Sequence, residues 1–167
     1  MPSATRPRRS CHAPDPCPAR SPARVCQSRG VSRPDYYGNP AGRTQDIEVV
    51  RGIYDAFNAR DVEAALPLVA EDCELDLRGT AARIGRTGPY RGHAGLREYF
   101  ADVARTWEEL TIHAEDFRAI PGSVIVMGHV TARLAGEPAG RRAVWTWKLS
   151  GGRATHVRVA DLGPYPS

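Results

Sequence analysis

The sequence predicts an α+β domain in which three helices precede an antiparallel sheet, behind a disordered N-terminal tail. Residues 1–44 contain no Leu, Ile, Phe or Trp, so a packed core must begin after them. Apolar residues then recur at helical spacing up to Trp107, and alternate with other residues from position 109 onward. Helices followed by strands joined through tight turns are typical of an α+β layout.

The tail, residues 1–44, is rich in Pro and Arg. It holds eight of the 14 prolines, and its eight arginines and two acids give it a formal charge of +6, although the whole chain carries only +4. Such a segment buries too little apolar surface to offset its ordering entropy, so we expect disorder. No aromatic residue stands among the arginines before Tyr36, so nucleic-acid binding is not expected. An unstructured leader, or an upstream codon mistaken for the start, explains the tail better.

Three segments carry the periodicity of amphipathic helices. The first helix is predicted over 45–59, with Tyr54 and Phe57 on its apolar face. Asp61 is predicted to cap a second helix, which Pro67 should kink or shorten because proline lacks an N–H. The third helix is predicted over 93–106.

The remaining segments are predicted to form strands. A short strand at 73–78 is followed by a loop at 79–92 that is rich in Gly, Arg and Thr. Four further strands are expected at 109–119, 123–135, 141–149 and 153–161. Pro121–Gly122, the "GEPAG" segment and Gly151–Gly152 supply the turns between them.

Alternation along these strands predicts that one face of the sheet is apolar and buried, the dry face, and that the other combines apolar and charged residues, the mixed face. Trp145 and Trp147 share the dry face of their strand. The other face combines Met127 and His129 with charged residues, as a surface or a subunit interface would. We expect a homodimer through this mixed face.

Cysteine usage and hydropathy point to the cytoplasm. Cys73 is the one cysteine of the body, and the spacings of the three tail cysteines match no zinc-ligand pattern. No apolar segment follows the basic "ATRPRRS" stretch, and no apolar run is long enough to span a membrane. The expected protein is cytoplasmic, with neither metal nor cofactor.

Three stretches of the body resemble the nuclear transport factor 2-like superfamily. These are "FNARD", "LVAEDCEL" and "YRGHAGLREYF", and the resemblance covers roughly residues 45–162. It is nearest to the SnoaL-like polyketide cyclases and the ketosteroid isomerases. The resemblance implies a cone-shaped curved sheet, closed on one side by helices, with a pocket inside. Because this fold hosts isomerases, cyclases, dehydratases, hydrolases and non-catalytic binders, the function depends on the site.

The resemblance also implies roles for particular residues. Asp76 falls within one position of the isomerase general base, and His129 lies near the histidine of the cyclases. The two oxyanion-stabilising donors of the isomerases fall on Ile53 and Trp145, so neither is present in its usual form. Steroid isomerisation in its usual form is therefore not expected, because losing one such donor costs about two to three orders of magnitude in rate.

Aromatic side chains suggest what the pocket would hold. Trp145 and Trp147 would form a flat wall with indole N–H donors, alongside Tyr54 and Phe57. Core packing explains the same pattern, so three functions stay open. One is an enzyme that uses Asp76 as a general base on an apolar, carbonyl-bearing metabolite. The second is a non-catalytic ligand-binding or dimerisation module. The third, and least favoured, is a regulatory domain whose Arg-rich tail contacts nucleic acid.

Overall fold

A computed structural model describes residues 40–165 as four helices packed on a six-stranded sheet. The helices are α1 (Pro40–Asn58), α2 (Val62–Ala65), α3 (Arg78–Arg83) and α4 (Gly92–Thr106), and a 3-10 turn at Leu66–Leu68 follows α2. The strands are β1 (Val69–Asp76), β2 (Tyr90–Arg91), β3 (Glu109–Ile120), β4 (Ser123–Leu134), β5 (Glu137–Ser150) and β6 (Arg153–Pro164). The α+β class is confirmed. The predicted disorder of the tail falls almost entirely outside the described residues.

The helical segments follow the predicted order, with shifted boundaries. α1 begins at Pro40, five residues before the predicted start. Asp61 caps α2 as predicted, because its carboxylate accepts a hydrogen bond of 3.0 Å from the Ala64 N–H. Pro67 lies in the 3-10 turn that ends this helix after a single turn, so the predicted shortening is confirmed.

Residues 78–91 differ from the predicted loop. They form α3 and the two-residue strand β2, which pairs with β1. Thr80 and Ala81 are buried, so packing against the body stabilises a six-residue helix that is too short to be stable by itself. β1 also begins four residues earlier than predicted, at Val69.

The sheet is curved and open, with the strand order β2-β1-β6-β5-β4-β3. Strands β3 to β6 form the predicted antiparallel meander. β1 pairs with β6 in parallel, so the sheet is not wholly antiparallel. The chain between these two strands includes two helices and the meander, which is long enough for the crossover that parallel pairing needs.

The core lies between the helices and the inner face of the sheet. On that face β5 buries Ala143, Trp145, Trp147 and Leu149, as the alternation predicted. Cys73 and Leu75 of β1 are also buried, and Cys73 is a free thiol. The buried carboxylate of Asp102 on α4 accepts a hydrogen bond of 2.9 Å from the Tyr90 hydroxyl and pairs with Arg105. Among the helices of residues 40–165, none is both long and apolar enough to cross a membrane.

Candidate functional site

A cavity of about 1060 Å³ opens between the inner face of β3 to β6 and the segment that carries α3. Its apolar wall includes Leu77, Leu110, Ile112, Val130, Ala132 and Val159. Tyr99, Trp107 and Trp145 add aromatic surface. The volume suits a metabolite of several fused rings, and a mostly apolar wall with a few polar groups is typical of small-molecule sites.

The deeper part of the sheet's concave side is filled by the protein's own aromatic residues. Only about 30 Å³ remains empty there, beside Tyr54, Phe57 and Trp147. Trp147 donates a hydrogen bond of 2.9 Å from Nε1 to the Tyr54 hydroxyl. Phe57 stacks on Tyr99, with ring centroids 5.7 Å apart. This region is therefore packed core rather than ligand space.

Trp145 stands at the boundary between the packed core and the cavity. It is only 3% exposed, and its ring lies edge-to-face against Tyr54 with centroids 5.7 Å apart. Within residues 40–165 its Nε1 makes no hydrogen bond, whereas every fully enclosed side-chain nitrogen or oxygen of these residues has a partner. The Trp145 N–H must therefore reach open space, and Trp145 lines the cavity.

A second polar group on the wall is the hydroxyl of Thr80. It accepts a hydrogen bond of 3.1 Å from Nε1 of Trp107 and also bonds to the Tyr99 hydroxyl. Burial raises the pKa of Tyr99 above its ordinary value of 10.0, so this side chain is a neutral phenol at physiological pH. The pair supplies hydroxyl groups to the cavity but no base.

Arginine dominates the charged part of the cavity wall. The lining includes Arg78, Arg83, Arg141, Arg142 and Arg158. Asp161 is the one carboxylate among the described lining residues, and its Oδ2 lies 2.6 Å from Nη2 of Arg141. A hydrogen bond from the Gly163 N–H is the largest cause that lowers the pKa of Asp161, with Arg141 adding to it. Asp161 is therefore ionised and a weak base.

A family model for the SnoaL-like domain matches residues 50–157. The chain belongs to this family. The match covers most of the described residues and includes Trp145, strands β1 to β5 and the first five residues of β6. The resemblance to the nuclear transport factor 2-like superfamily is confirmed.

Solved structures agree with the family assignment, whereas a search of curated proteins finds no match. TerC, co-crystallised with polyporic acid, is 26% identical, has a TM-score of 0.65, and covers 70% of this chain and 91% of its own. A nuclear transport factor 2-like protein from Burkholderia pseudomallei is 22% identical, with a TM-score of 0.64 and coverage of 70% and 90%. A protein assigned as a polyketide cyclase from Xanthomonas campestris pv. campestris is 18% identical, with a TM-score of 0.60 and coverage of 70% and 90%. The last two support the fold alone.

Asp76 does not line the cavity of this SnoaL-like domain, contrary to the expectation that it sits in a pocket. Alternation along β1 buries Leu75 at 2% exposure and turns Asp76 to the other face. There its carboxylate lies 3.1 Å from Nε of Arg78 and 3.5 Å from Nε of Arg158. The structure thus gives Asp76 two cationic partners and no contact with the cavity.

His129 also lies away from the cavity, on the outer face of the sheet. Its ring stacks on His113 and on Tyr165, with centroids 4.4 Å and 3.8 Å apart, and its Nδ1 lies 2.8 Å from a carboxylate oxygen of Glu115. β4 turns alternate residues to opposite faces, and its inner face carries Val126, Gly128 and Val130, so His129 is on the face away from the cavity. Within the described part of the chain, no three His, Cys, Asp or Glu side chains converge to hold a metal.

Of the four predicted ligand contacts, the structure brings only Trp145 to the large cavity. Tyr54, Phe57 and Trp147 border the small void instead. The arginines of the wall and Asp161 were not foreseen. Their signal is weak because arginine is frequent throughout this chain, and the sequence predicts a strand end at Arg78 and a loop at Arg83 where the structure has α3.

Proposed function

We propose that this SnoaL-like domain binds an apolar small molecule with a carbonyl group inside the 1060 Å³ cavity. The observation that carries the proposal is that Trp145 lines the cavity, and also borders the small void, while its indole N–H lacks a protein acceptor among residues 40–165. A ligand carbonyl would supply that acceptor.

The energetics favour a ligand with an extended apolar body. Covering apolar wall contributes roughly 25 cal/mol for each Å² removed from water. A neutral hydrogen bond to the indole N–H adds about 1 kcal/mol, and it fixes the orientation of the ligand. The co-crystal of TerC with polyporic acid supports a small organic molecule as the occupant of such a fold.

A pair of neutral probes tests this proposal. 2-Acetonaphthone carries the carbonyl, and 2-ethylnaphthalene is its carbonyl-free control. In equilibrium dialysis, Trp145→Phe should weaken binding of the ketone by about threefold to tenfold and leave binding of the hydrocarbon unchanged. If neither probe binds to the wild type, the proposal is wrong; if both probes respond alike to the substitution, the indole N–H is not the contact.

An acid–base enzyme of the isomerase or cyclase type is the second candidate. It is favoured by the carboxylate of Asp161, which lies on the cavity wall, two register positions from Trp145 and therefore on the same face of the sheet. Asp76, the base that the resemblance implies, would have to leave Arg78 and Arg158 to reach a ligand. Asp161 is the better placed of the two, although its lowered pKa makes it a weak base.

We also propose that the chain forms a homodimer through the outer face of the sheet. Met127 on β4 is 39% exposed there, and Val144 and Ala160 are its neighbours in register on β5 and β6. Leu162, further along β6, is 61% exposed. Burying such apolar side chains against a second copy removes them from water.

A further inference from the structure

We propose that the ligand of this cavity is an organic anion, an aromatic carboxylate, whose charged group is held by Arg83 at the cavity wall. The inference rests on the proposed binding function and adds the chemical class of the ligand. It is carried by the unequal number of charges on the wall and by the geometry of Arg83.

The wall has more positive than negative charge. Five arginines line it, and Asp161 is the one lining carboxylate among residues 40–165. Asp161 pairs with Arg141, and the nearby Asp76 is shared by Arg78 and Arg158. Arg83 and Arg142 form no ion pair with any acid of the described chain. A wall with an excess of positive charge attracts an anion, because the electric field is concentrated in a cleft with apolar sides.

Arg83 is better placed than Arg142 to hold the anionic group. Its guanidinium carbon lies 4.5 Å from the ring centroid of Trp107, which itself lines the cavity. Trp107 is fixed by its hydrogen bond to Thr80, so the ring under the Arg83 guanidinium has a defined position. Arg142 pairs in register with His129, which lies on the outer face of the sheet.

Within residues 40–165 the Arg83 guanidinium, which lies over the Trp107 ring, donates no hydrogen bond and forms no ion pair, so its N–H groups are available to a ligand. A guanidinium donates two parallel hydrogen bonds to a carboxylate, a geometry that lysine cannot offer. The carboxylate would stay partly in water at the wall's edge, so its desolvation cost is small. The ring system of the ligand would then extend along Trp107 towards Trp145, the two indoles of the wall.

Matched acid and amide probes separate charge from shape. 2-Naphthoate and 2-naphthamide differ by the charge of one group, and 1-pyrenecarboxylate and its amide repeat the comparison with a larger ring. Isothermal titration calorimetry should show the acids binding about tenfold more tightly than the amides, equal to ~1.4 kcal/mol. The difference should shrink when salt rises from about 50 mM to about 500 mM.

Two variants assign the preference to Arg83. Arg83→Gln should reduce the acid-over-amide preference to about twofold or less without changing amide affinity, and Arg83→Lys should restore part of it. Arg153→Gln is the control, because Arg153 is exposed at the β5–β6 turn and does not line the cavity. It should retain the full preference.

Each outcome separates this inference from the proposed function. Equal affinity of acid and amide in the wild type would overturn the inference and leave the binding function standing. A preference that survives Arg83→Gln would overturn the assignment to Arg83. If neither acid nor amide binds, the cavity does not accept aromatic ligands, and both proposals fail.

Discussion

Trp147 donates a hydrogen bond of 2.9 Å from Nε1 to the hydroxyl of Tyr54, which links β5 to α1 inside the core. Both side chains are buried, at 5% and 4% exposure. Trp145 lies two residues earlier on the same face of β5, yet its N–H has no partner within residues 40–165. Adjacent tryptophans on one strand face thus serve different purposes. Trp147 donates a hydrogen bond across the core, whereas the N–H of Trp145 is left without a protein acceptor among those residues.

Trp147→Phe should destabilise the protein more than Trp145→Phe does. The substitution at position 147 leaves the buried Tyr54 hydroxyl without its donor, and an unsatisfied buried hydroxyl costs about 1–3 kcal/mol. The substitution at position 145 breaks no hydrogen bond within the protein. Urea unfolding followed by circular dichroism gives both free energies.

The double variant Tyr54→Phe/Trp147→Phe provides the control. Removing both partners should cost less than the sum of the single substitutions, with a coupling of about 1 kcal/mol or more. Additive costs would mean that the hydrogen bond does not stabilise the core.

Stability should fall at alkaline pH because buried tyrosines resist ionisation. Desolvation and the bond to Asp102 raise the pKa of Tyr90 from 10.0 to about 12, and burial raises the pKa of Tyr54 and Tyr99 as well. Above the ordinary value the unfolded chain loses these protons while the folded chain keeps them. The free energy of unfolding is therefore unaffected by these groups below pH 10, and it decreases towards pH 12 by up to ~1.4 kcal/mol per pH unit for each tyrosine.

Tyr90→Phe should make this decrease less steep, since one of the three groups is removed. Urea unfolding at a series of pH values measures the slope. A slope that is the same in Tyr90→Phe and the wild type would show that Tyr90 ionises equally in both states.

The sequence predicts more of the fold than of the candidate site. Alternation along β4 and β5 assigned Trp145, Trp147 and Val126 to the inner face correctly, because a half-buried strand leaves a period of two. Whether a residue on that face borders a cavity or packed core depends on what the helices bring opposite it. Tyr54 of α1 fills the space over Trp147, and no local pattern encodes this.

The resemblance also places Asp76 at the site, although Asp76 does not line the cavity. It identified the strand correctly, but a single position in register decides which face a side chain takes. In this chain Leu75 takes the inner face and Asp76 pairs with Arg78 and Arg158. Asp161 is on the inner face of β6 and pairs with Arg141 beside a bulge between β5 and β6, whose position no local sequence pattern predicts.

Removing either carboxylate near the cavity should strengthen the binding of an anion. Asp161→Asn frees Arg141, and Asp76→Asn frees Arg78 and Arg158, so the affinity for 2-naphthoate should rise by about twofold to fivefold. The affinity for neutral 2-naphthamide should not change. Isothermal titration calorimetry measures both.

Asp72→Asn is the matched control, because Asp72 is exposed on β1 and borders neither cavity. It should leave both affinities unchanged. A turnover that disappears in Asp161→Asn or Asp76→Asn while probe affinity is retained would instead identify that residue as the base of an enzyme.

Met127→Glu should dissociate the proposed homodimer. A charge at the centre of an apolar contact is desolvated without a partner, which costs several kcal/mol. Sedimentation velocity at tens of micromolar, well above the ~1 μM Kd of a stable interface, should show a dimer for the wild type and a monomer for the variant. Ala104→Glu, on the exposed face of α4, should remain dimeric. A wild type that sediments as a monomer would contradict the proposal.

Native mass spectrometry of the chain mixed with 2-acetonaphthone tests the central claim, that the cavity is a ligand site, most directly. Ala132 lines the cavity on the inner face of β4, and Ala132→Phe would fill part of the space, whereas Ala104→Phe adds the same bulk on the exposed face of α4. The account predicts one probe molecule per chain for the wild type and for Ala104→Phe, and none for Ala132→Phe. A wild type without bound probe, or equal binding by all three proteins, would contradict it.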